Sequence, residues 1–474
     1  MNPLLAVAAL VGVSVIGYTI YTFVLGRRSV EAPPRPQLDH LFIFVVPALN
    51  EERVIGSTID ALLALPGERH AVLVVDDGSS DATAEVVAGF DPRRVWLHRR
   101  AAPAAGLGKG EALNDAYREL RRRLMGRNLH RVIVCVLDAD GVVDPHCLDE
   151  VERRFADPDL VAVQLRVRIA NRDRSWLARL QDVEFTAFSD VYQLGRDRLG
   201  TPGLGGNGQF VRLGALSVLG NSPWTDALTE DLAMGLELAT HGWKLGFCGE
   251  AAVHQQGLEQ GHALLRQRTR WFQGQLQCLR LLPPILRSRL PLSAKVDLAF
   301  HLVNAVFTLA ALAVSLVWLG VLAWRVLADP AAAWGSHLAG GRWLVFYLLA
   351  FPLAPVVSVV YLRREPSLAP WRAVVAGHLY VGYTYLWLLA GTAAVVRTLR
   401  GHRSWAKTER LAPPADPSDG DERIGLRPTQ LPGWDQPLRP LPTAAAHRRR
   451  VVDLRSVAGE AGAVEVAASA NTDG

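Results

Sequence analysis

The stretch Arg131–Asp140 reads RVIVCVLDAD, an apolar run of strand length that ends in two aspartates. A continuous apolar run of this kind is typical of a strand buried on both faces of a parallel sheet. Leu41–Pro47 (LFIFVVP) and Ala71–Val75 (AVLVV) have the same character. Strands of this type need helices on both faces of their sheet, so the three runs predict an α/β fold.

The segments between these runs have the length and composition of helices. They are Glu51–Leu65, Ala82–Phe90 and Gly110–Leu124. The alternation of strands and helices predicts a Rossmann-like α/β sandwich with a mostly parallel sheet. Because ligands bind beyond the carboxyl ends of the strands in such sheets, we expect a site where Asp138 and Asp140 follow their strand.

Apolar segments flank the α/β region on both sides. Half of the 474 residues are hydrophobic, and the net charge is +5. The run Leu4–Leu25 is long enough to span a bilayer, and the basic pair Arg27-Arg28 that follows places the next part of the chain in the cytosol. A cleaved signal peptide would need basic residues before the run, and Met1-Asn2-Pro3 supplies none.

These features predict an integral protein of the cell membrane with four parts. They are an N-terminal transmembrane helix (1–28), a cytosolic domain (41–277), an interfacial helix with about three transmembrane helices (278–400) and a disordered tail rich in Pro, Asp, Gly and Ala (411–474). The late spans are Leu298–Val326, Trp343–Tyr361 and Trp371–Val396. Three spans would leave the tail outside, whereas the basic residues from Arg397 to Arg410 favour the cytosol. An alternative is that one of the three late segments is re-entrant or lies flat, and the sequence leaves this topology open.

Asp76-Asp77-Gly78-Ser79 directly follows the second predicted strand. A carboxylate in this position can accept hydrogen bonds from a base N–H or a ribose hydroxyl. The alternative is a turn that caps the next helix, where Asp and Ser are also common. The cluster by itself leaves both interpretations open.

Asp138-Ala139-Asp140 places two carboxylates on alternate residues after a strand, so both can face one site. Hard oxygen ligands suit Mg²⁺ or Mn²⁺ held together with substrate phosphates. The alternative is an ordinary turn, in which Asp is a favoured residue.

Thr229-Glu230-Asp231 comes just before a stretch with helical periodicity. Asp231 is therefore either a general base for an acceptor hydroxyl or a carboxylate that complements the start of a helix.

Residues 267–271 read QRTRW, and helical spacing brings Gln267, Arg270 and Trp271 close to one face. Arg270 can clamp a diphosphate and Trp271 can stack on a sugar ring. The alternative is a basic juxtamembrane helix with an interfacial Trp.

Taken in chain order, these motifs resemble the membrane-bound family 2 glycosyltransferases, which include cellulose, chitin, hyaluronan and poly-N-acetylglucosamine synthases and β-glucosyl-diacylglycerol synthases. The resemblance covers about Leu41–Gln277. It rests on residues 46–52 (VPALNEE), 76–79 (DDGS), 108–114 (GKGEALN), 138–140 (DAD), 229–231 (TED) and 267–271 (QRTRW). It implies an A-type nucleotide-sugar-binding domain and a single displacement that inverts the anomeric centre.

The resemblance also implies a role for each matched residue. The implied donor-binding residues are Glu51, Asp76, Asp77, Lys109, Asp138 and Arg270. The implied ligands of a Mg²⁺ or Mn²⁺ ion are Asp140 and Asp138. The implied catalytic base is Asp231, and the implied acceptor-binding residues are Gln267 and Trp271.

The predicted function is therefore metal-dependent, inverting hexosyl transfer from a nucleotide-diphosphate sugar, in the first place a UDP-sugar, to a membrane-associated acceptor. The product expected first is a β-linked surface polysaccharide, and the alternative is a glycolipid made by adding one sugar to diacylglycerol or another lipid. A non-catalytic nucleotide-binding scaffold or transporter is a further alternative, disfavoured because no apolar run carries a buried acid or Lys pair.

The expected partners follow from this function. They are the nucleotide-sugar donor, a lipid or growing glycan acceptor and the membrane, with an export partner or a second copy of the chain as further candidates. Nucleic acid is not expected, because no basic stripe is interleaved with aromatic residues.

Overall fold

The computed structural model describes residues 3–27, 40–333 and 353–402, together with residues 335, 344, 347 and 351. The strands are β1 Leu41–Ala48, β2 His70–Asp76, β3 Val95–Arg99, β4 Val132–Val136, β5 Val142–Val143, β6 Leu160–Ile169, β7 Gln209–Arg212 and β8 Lys244–Gln255. The helices are α1 Pro3–Gly26, α2 Ile55–Leu63, α3 Thr83–Ala88, α4 Lys109–Arg123, α5 Cys147–Arg154, α6 Trp176–Ala187, α7 Leu194–Asp197, α8 Glu230–Thr240, α9 Gly261–Cys278, α10 Leu282–Arg287, α11 Leu292–Ala328, α12 Pro330–Ala333, α13 Ala354–Arg364 and α14 Pro370–Leu399.

The eight strands form one sheet in the order β3-β2-β1-β4-β7-β6-β8-β5. Strands β3, β2, β1 and β4 are parallel, and the three apolar runs form β1, β2 and β4 as predicted. Strand β7 enters antiparallel between β4 and β6, and β5 pairs antiparallel with β8. The predicted α/β fold is confirmed, and the sheet is mixed beyond β4.

Strands β2, β4 and β7 are buried along their whole length and β1 is buried except at Leu41 and Pro47, with helices on both faces of the sheet. Helix α2 begins at Ile55 and not at Glu51, which corrects the predicted boundary. The reason is a turn after β1, in which Asn50 has a positive φ of 53° and the Glu51 N–H donates to Thr83 Oγ1 at 2.8 Å. This turn brings Glu51 to the carboxyl edge of the sheet.

Two helices of the described residues, α11 and α14, are long and apolar enough to cross a membrane by length and composition. Helix α11 begins at Leu292, six residues before the predicted span Leu298–Val326. Of the predicted span Trp343–Tyr361, the part from Ala354 onward belongs to α13, and most of the remainder lies outside the described residues, as does the predicted tail.

A buried ion pair fastens α1 and α11 to the α/β domain. The Asp297 carboxylate on α11 accepts hydrogen bonds from Arg196 Nε at 3.0 Å, Thr201 Oγ1 at 2.7 Å and Tyr18 Oη at 2.8 Å. The Arg196 and Asp297 side chains are each 1% exposed. Both α1 and the α/β domain contact α11 at the Asp297 carboxylate. The Arg196–Asp297 pair therefore fixes where α1 and α11 leave the α/β domain.

We expect Asp297→Asn to destabilise the protein strongly, because it leaves the Arg196 charge buried without a counter-charge, which costs about 3–5 kcal/mol. Tyr18→Phe is the matched control, since it removes one hydrogen bond of about 1 kcal/mol and no charge. The measurement is the thermal unfolding midpoint of each purified variant in the same detergent. A midpoint for Asp297→Asn no lower than that of Tyr18→Phe would contradict the assignment.

Candidate active site

A cavity of about 620 Å³ lies at the carboxyl ends of β1 and β4. It collects the residues that the sequence singled out, apart from Asp76. They are Glu51, Asp77, Lys109, Asp138, Asp140, Asp231, Gln267, Arg270 and Trp271. Residues far apart in the chain therefore share one space, at the edge of the sheet where parallel strands place ligands.

Asp76 was predicted with Asp77 to bind the donor, and it is not among the residues that line the cavity. It ends β2 with a fully buried side chain, and its Oδ1 accepts from the Ser79 N–H at 2.9 Å. Asp77 lines the cavity instead and accepts from the Gly106 N–H at 3.0 Å. The turn requires glycine at Gly78, which has a φ of +83° and where a Cβ would lie 2.9 Å from the Ala105 Cβ.

Lys109, the first residue of α4, lies among the carboxylates of the cavity. Its Nζ donates to Asp138 Oδ1 at 2.5 Å and to the Gly206 carbonyl at 2.6 Å. Burial opposes the charge, but the negative charges of Asp138, Glu230 and Asp231 outweigh it and raise the pKa of Lys109. The ammonium is therefore a fixed positive charge beside the aspartate pair.

The backbone of the loop before β7 lies close to the side chains of Lys109 and Asp231. A Cβ at Gly206 would lie 3.1 Å from Lys109 Nζ and 3.2 Å from Asp231 Oδ2. Asn207 accepts from the Asp138 N–H through its Oδ1 at 3.2 Å. A side chain at Gly206 would push the lysine and the predicted base apart, so the glycine keeps both against the same backbone.

The Asp138/Asp140 pair fits a divalent cation that a substrate also ligates. Both carboxylates line the cavity, and Asp140 Oδ2 accepts from the Gln256 N–H at 3.1 Å, which fixes its orientation. Within the described residues, no group of three or more His, Cys, Asp or Glu side chains could hold a metal by itself. Mg²⁺ is commonly held by one or two carboxylates together with substrate phosphates, and this donor set suits that arrangement.

Glu230 lies next to Asp231 in the first turn of α8 and lines the same cavity, a role that we did not predict. Burial, together with the charge of Asp231, raises the pKa of Glu230 to about 7. Burial also raises the pKa of Asp231, whose Oδ1 accepts from the Leu232 N–H at 2.7 Å. The sequence signal for Glu230 was its place in the TED triplet.

Helix α9 brings Gln267, Arg270 and Trp271 to the cavity, as their helical spacing predicted. Arg268, which we did not single out, is fully buried and packs its guanidinium over the Trp271 ring at 4.1 Å from the ring centroid. Its NH1 also donates to Gln267 Oε1 at 2.6 Å. Arg268 therefore orients the two side chains that were predicted to meet the acceptor.

The far end of the cavity is lined by the long helices. Helix α11 supplies Ala305, Leu309 and Leu312, and α14 supplies Tyr380 and Trp387. One continuous space therefore joins the carboxylate cluster at the strand ends to apolar side chains of helices that are apolar enough to lie in a membrane.

Comparison with known proteins identifies the family. The profile described as "Glycosyltransferase like family 2" matches residues 36–274. The chain is 35% identical over 252 residues to the beta-monoglucosyldiacylglycerol synthase of Synechocystis sp., covering 52% of this chain and 49% of that protein. It is 28% identical over 254 residues to the poly-beta-1,6-N-acetyl-D-glucosamine synthase of Staphylococcus aureus, covering 52% of this chain and 58% of that protein.

A solved structure shares the fold. The mannosyltransferase PcManGT from Pyrobaculum calidifontis, solved in complex with GDP-Man and Mn²⁺, superposes with a TM-score of 0.54 at 20% identity and covers 84% of this chain and 99% of its own. The chain belongs to the family 2-like glycosyltransferases. It spans about half the length of the monoglucosyldiacylglycerol synthases that it matches.

We expect the donor KM to rise between about pH 6 and pH 8, because Glu230, with its pKa of about 7, is neutral below this range and adds a negative charge to the cavity above it. A new negative charge repels a diphosphate. Glu230→Gln should hold the donor KM constant over the same range. Steady-state kinetics with varied donor at each pH measure this.

Glu237→Gln is the matched control, since Glu237 lies on the same helix but does not line the cavity. It should keep the wild-type pH dependence. A pH-dependent donor KM that persists in Glu230→Gln would assign the titration to another group.

Proposed function

We propose that the protein is an inverting glycosyltransferase that moves a sugar from a nucleotide-diphosphate donor to a membrane lipid. The observation that carries this proposal is the single cavity, which has charged groups at the strand ends and apolar side chains of α11 and α14 at its far end. A donor with a charged diphosphate fits the first part, and the chain of a lipid fits the second.

The donor end has the groups that a nucleotide-diphosphate sugar needs. Glu51 and Asp77 offer carboxylates to the base and ribose, and a UDP-sugar is the donor expected first. Lys109 and Arg270 supply positive charge for the diphosphate. Asp138 and Asp140 would hold a Mg²⁺ or Mn²⁺ ion, which when bound neutralises the charge on the departing diphosphate.

Transfer requires one proton acceptor and one displacement. Asp231 accepts the proton of the acceptor hydroxyl, and the hydroxyl oxygen attacks the anomeric carbon from the side opposite the diphosphate. The new C–O bond forms as the bond to the diphosphate breaks, so an α-linked donor gives a β-linked product. Gln267 and Trp271 position the acceptor, with Trp271 offering its ring to the sugar or headgroup.

Two kinds of acceptor are compatible with the proposed transfer, a lipid and a growing polysaccharide. The apolar end of the cavity favours a lipid, which matches the glucosyl-diacylglycerol product named for the Synechocystis relative. A β-linked surface polysaccharide is the second candidate, because a poly-N-acetylglucosamine synthase also matches the catalytic domain.

We also propose that the catalytic domain, residues 41–277, faces the cytosol. Arg27 and Arg28 follow α1 directly, which the positive-inside rule assigns to the cytosolic side. All four cysteines of the chain are free and buried, as in proteins of a reducing compartment.

We expect Asp231→Asn to keep donor binding and to lose transfer by about a hundredfold or more, the usual contribution of a positioned base. Asp140→Asn is the matched variant, and it should lose the Mn²⁺ dependence of donor binding. Binding is measured by calorimetry with the nucleoside diphosphate at varied Mn²⁺, and transfer by radiolabel. Near-normal transfer in Asp231→Asn would place the base elsewhere, and unchanged Mn²⁺ dependence in Asp140→Asn would remove this ligand.

Product analysis tests the acceptor. Membranes that contain the protein are given radiolabelled UDP-sugars and GDP-mannose in parallel, with Asp231→Asn membranes as the control. We expect a single lipid-soluble product that depends on Asp231. A ladder of polymer sizes would favour the polysaccharide, and the absence of any labelled product from all donors would contradict the proposed activity.

A further inference from the structure

Both ends of α14 are fastened to the catalytic domain. Just before the helix, Glu365 pairs with Arg168 at 2.7 Å and with Arg172 at 3.0 Å, at the carboxyl end of β6. In the last turn of the helix, Arg397 Nε donates to Gln273 Oε1 of α9 at 3.1 Å, and just after the helix the His402 carbonyl accepts from Gln273 Nε2 at 2.6 Å. The two ends of a long apolar helix thus contact the same α/β domain.

The first half and the middle of α14 contact that domain as well. Ala373 and Ala376 pack in one apolar cluster with Val183 of α6. Further along, Tyr383 Oη and Trp387 Nε1 each donate to the Glu184 carboxylate at 2.8 Å. The helix therefore contacts the catalytic domain at its start, middle and end.

The length of α14 would allow it to span a membrane, whereas its contacts with the domain do not. Helix α14 has 30 residues and is about 45 Å long, more than the roughly 30 Å of a hydrocarbon core. A helix that crossed the bilayer would have its ends on opposite sides, yet both ends here bind a domain that lies on one side. Crossing would break either the Glu365 ion pairs or the Gln273 hydrogen bonds.

Helix α11 provides the contrast. Its first half packs on the domain through Leu298, Leu302 and Ala305, which are buried. In its second half the side chains of Val317 and Trp324 are 68% and 72% exposed. This half leaves the domain, as a membrane span must.

The outer face of α14 is an apolar stripe. Its exposed side chains include Trp371, Val375, Leu379, Leu389 and Val396, spaced so that they fall along one side of the helix. An apolar face of this size on a monomer marks an interaction surface. The inner side of the helix carries polar contacts instead, those of Tyr383 and Trp387 with Glu184, so the two sides of α14 differ in character.

We propose that α14 lies in the plane of the membrane surface and does not span the bilayer. Its outer apolar stripe contacts the lipid. Its inner side lines the active-site cavity through Tyr380, Thr384 and Trp387. The partner of the stripe is the bilayer itself. The basic residues that follow α14 stay on the same side as the catalytic domain, which removes the topological conflict in the sequence.

Cysteine labelling in intact cells tests the topology. Ser367→Cys lies before α14 and His402→Cys lies after it, and both side chains are exposed. The four native cysteines are buried, so the background of labelling is low. Ala331→Cys in α12, beyond the far end of α11, is the positive control for the outer side. A thermal unfolding midpoint in detergent equal to that of the wild type shows that each variant folds.

We expect an impermeant maleimide to label Ala331→Cys from outside and to label Ser367→Cys and His402→Cys only after permeabilisation. Labelling of Ser367→Cys and His402→Cys from opposite sides would overturn the proposal. Labelling of both from outside would support the in-plane helix and overturn the cytosolic placement of the domain. Neither result depends on the identity of the acceptor, so the test is independent of the proposed function.

Depth measurement gives a second test. Spin labels at Val375→Cys and Leu389→Cys lie about 21 Å apart along the helix axis. An in-plane helix holds both labels at similar depths in vesicles, as measured by their relaxation with oxygen and with a water-soluble nickel complex. Depths that differ by more than half of that distance would overturn the proposal.

Discussion

The buried pair of Glu184 and Arg268 is the interaction on which the end of the cavity between α9 and α14 depends. Glu184 Oε2 accepts from Arg268 at 2.5 Å and from Tyr383 Oη at 2.8 Å, while Oε1 accepts from Trp387 Nε1 at 2.8 Å. A fully buried guanidinium needs a counter-charge, and removing one partner of such a pair is strongly destabilising. Three helices therefore meet at one carboxylate, and the position of α9 under the cavity follows from it.

The part of the fold that the sequence predicted is the part set by local pattern. The runs of β1, β2 and β4 are continuous and apolar, so their burial in a parallel sheet could be predicted. Strand β7 has only four residues, QFVR, which gives no periodicity to detect. The contacts of α14 join residues up to 203 positions apart, as in Trp387 to Glu184, and no local pattern encodes them.

The site could be predicted for a related reason. Carboxylates that follow buried parallel strands lie at the same edge of the sheet, so the sequence alone could place Asp77, Asp138 and Asp140 together. Asp76 could not be separated from Asp77, because adjacent residues at a strand end point to opposite sides and the pattern does not say which side is the cavity. The role of Glu230 was missed because burial, and not its residue type, raises its pKa.

The ammonium of Lys109 gives the cavity a counter-charge of its own. It lies 2.5 Å from Asp138 Oδ1, and the charges of Asp138, Glu230 and Asp231 all act on it. Without the ammonium, these like charges would repel one another in a buried space. The lysine therefore stabilises the folded site itself, in addition to offering a positive charge to an anionic donor.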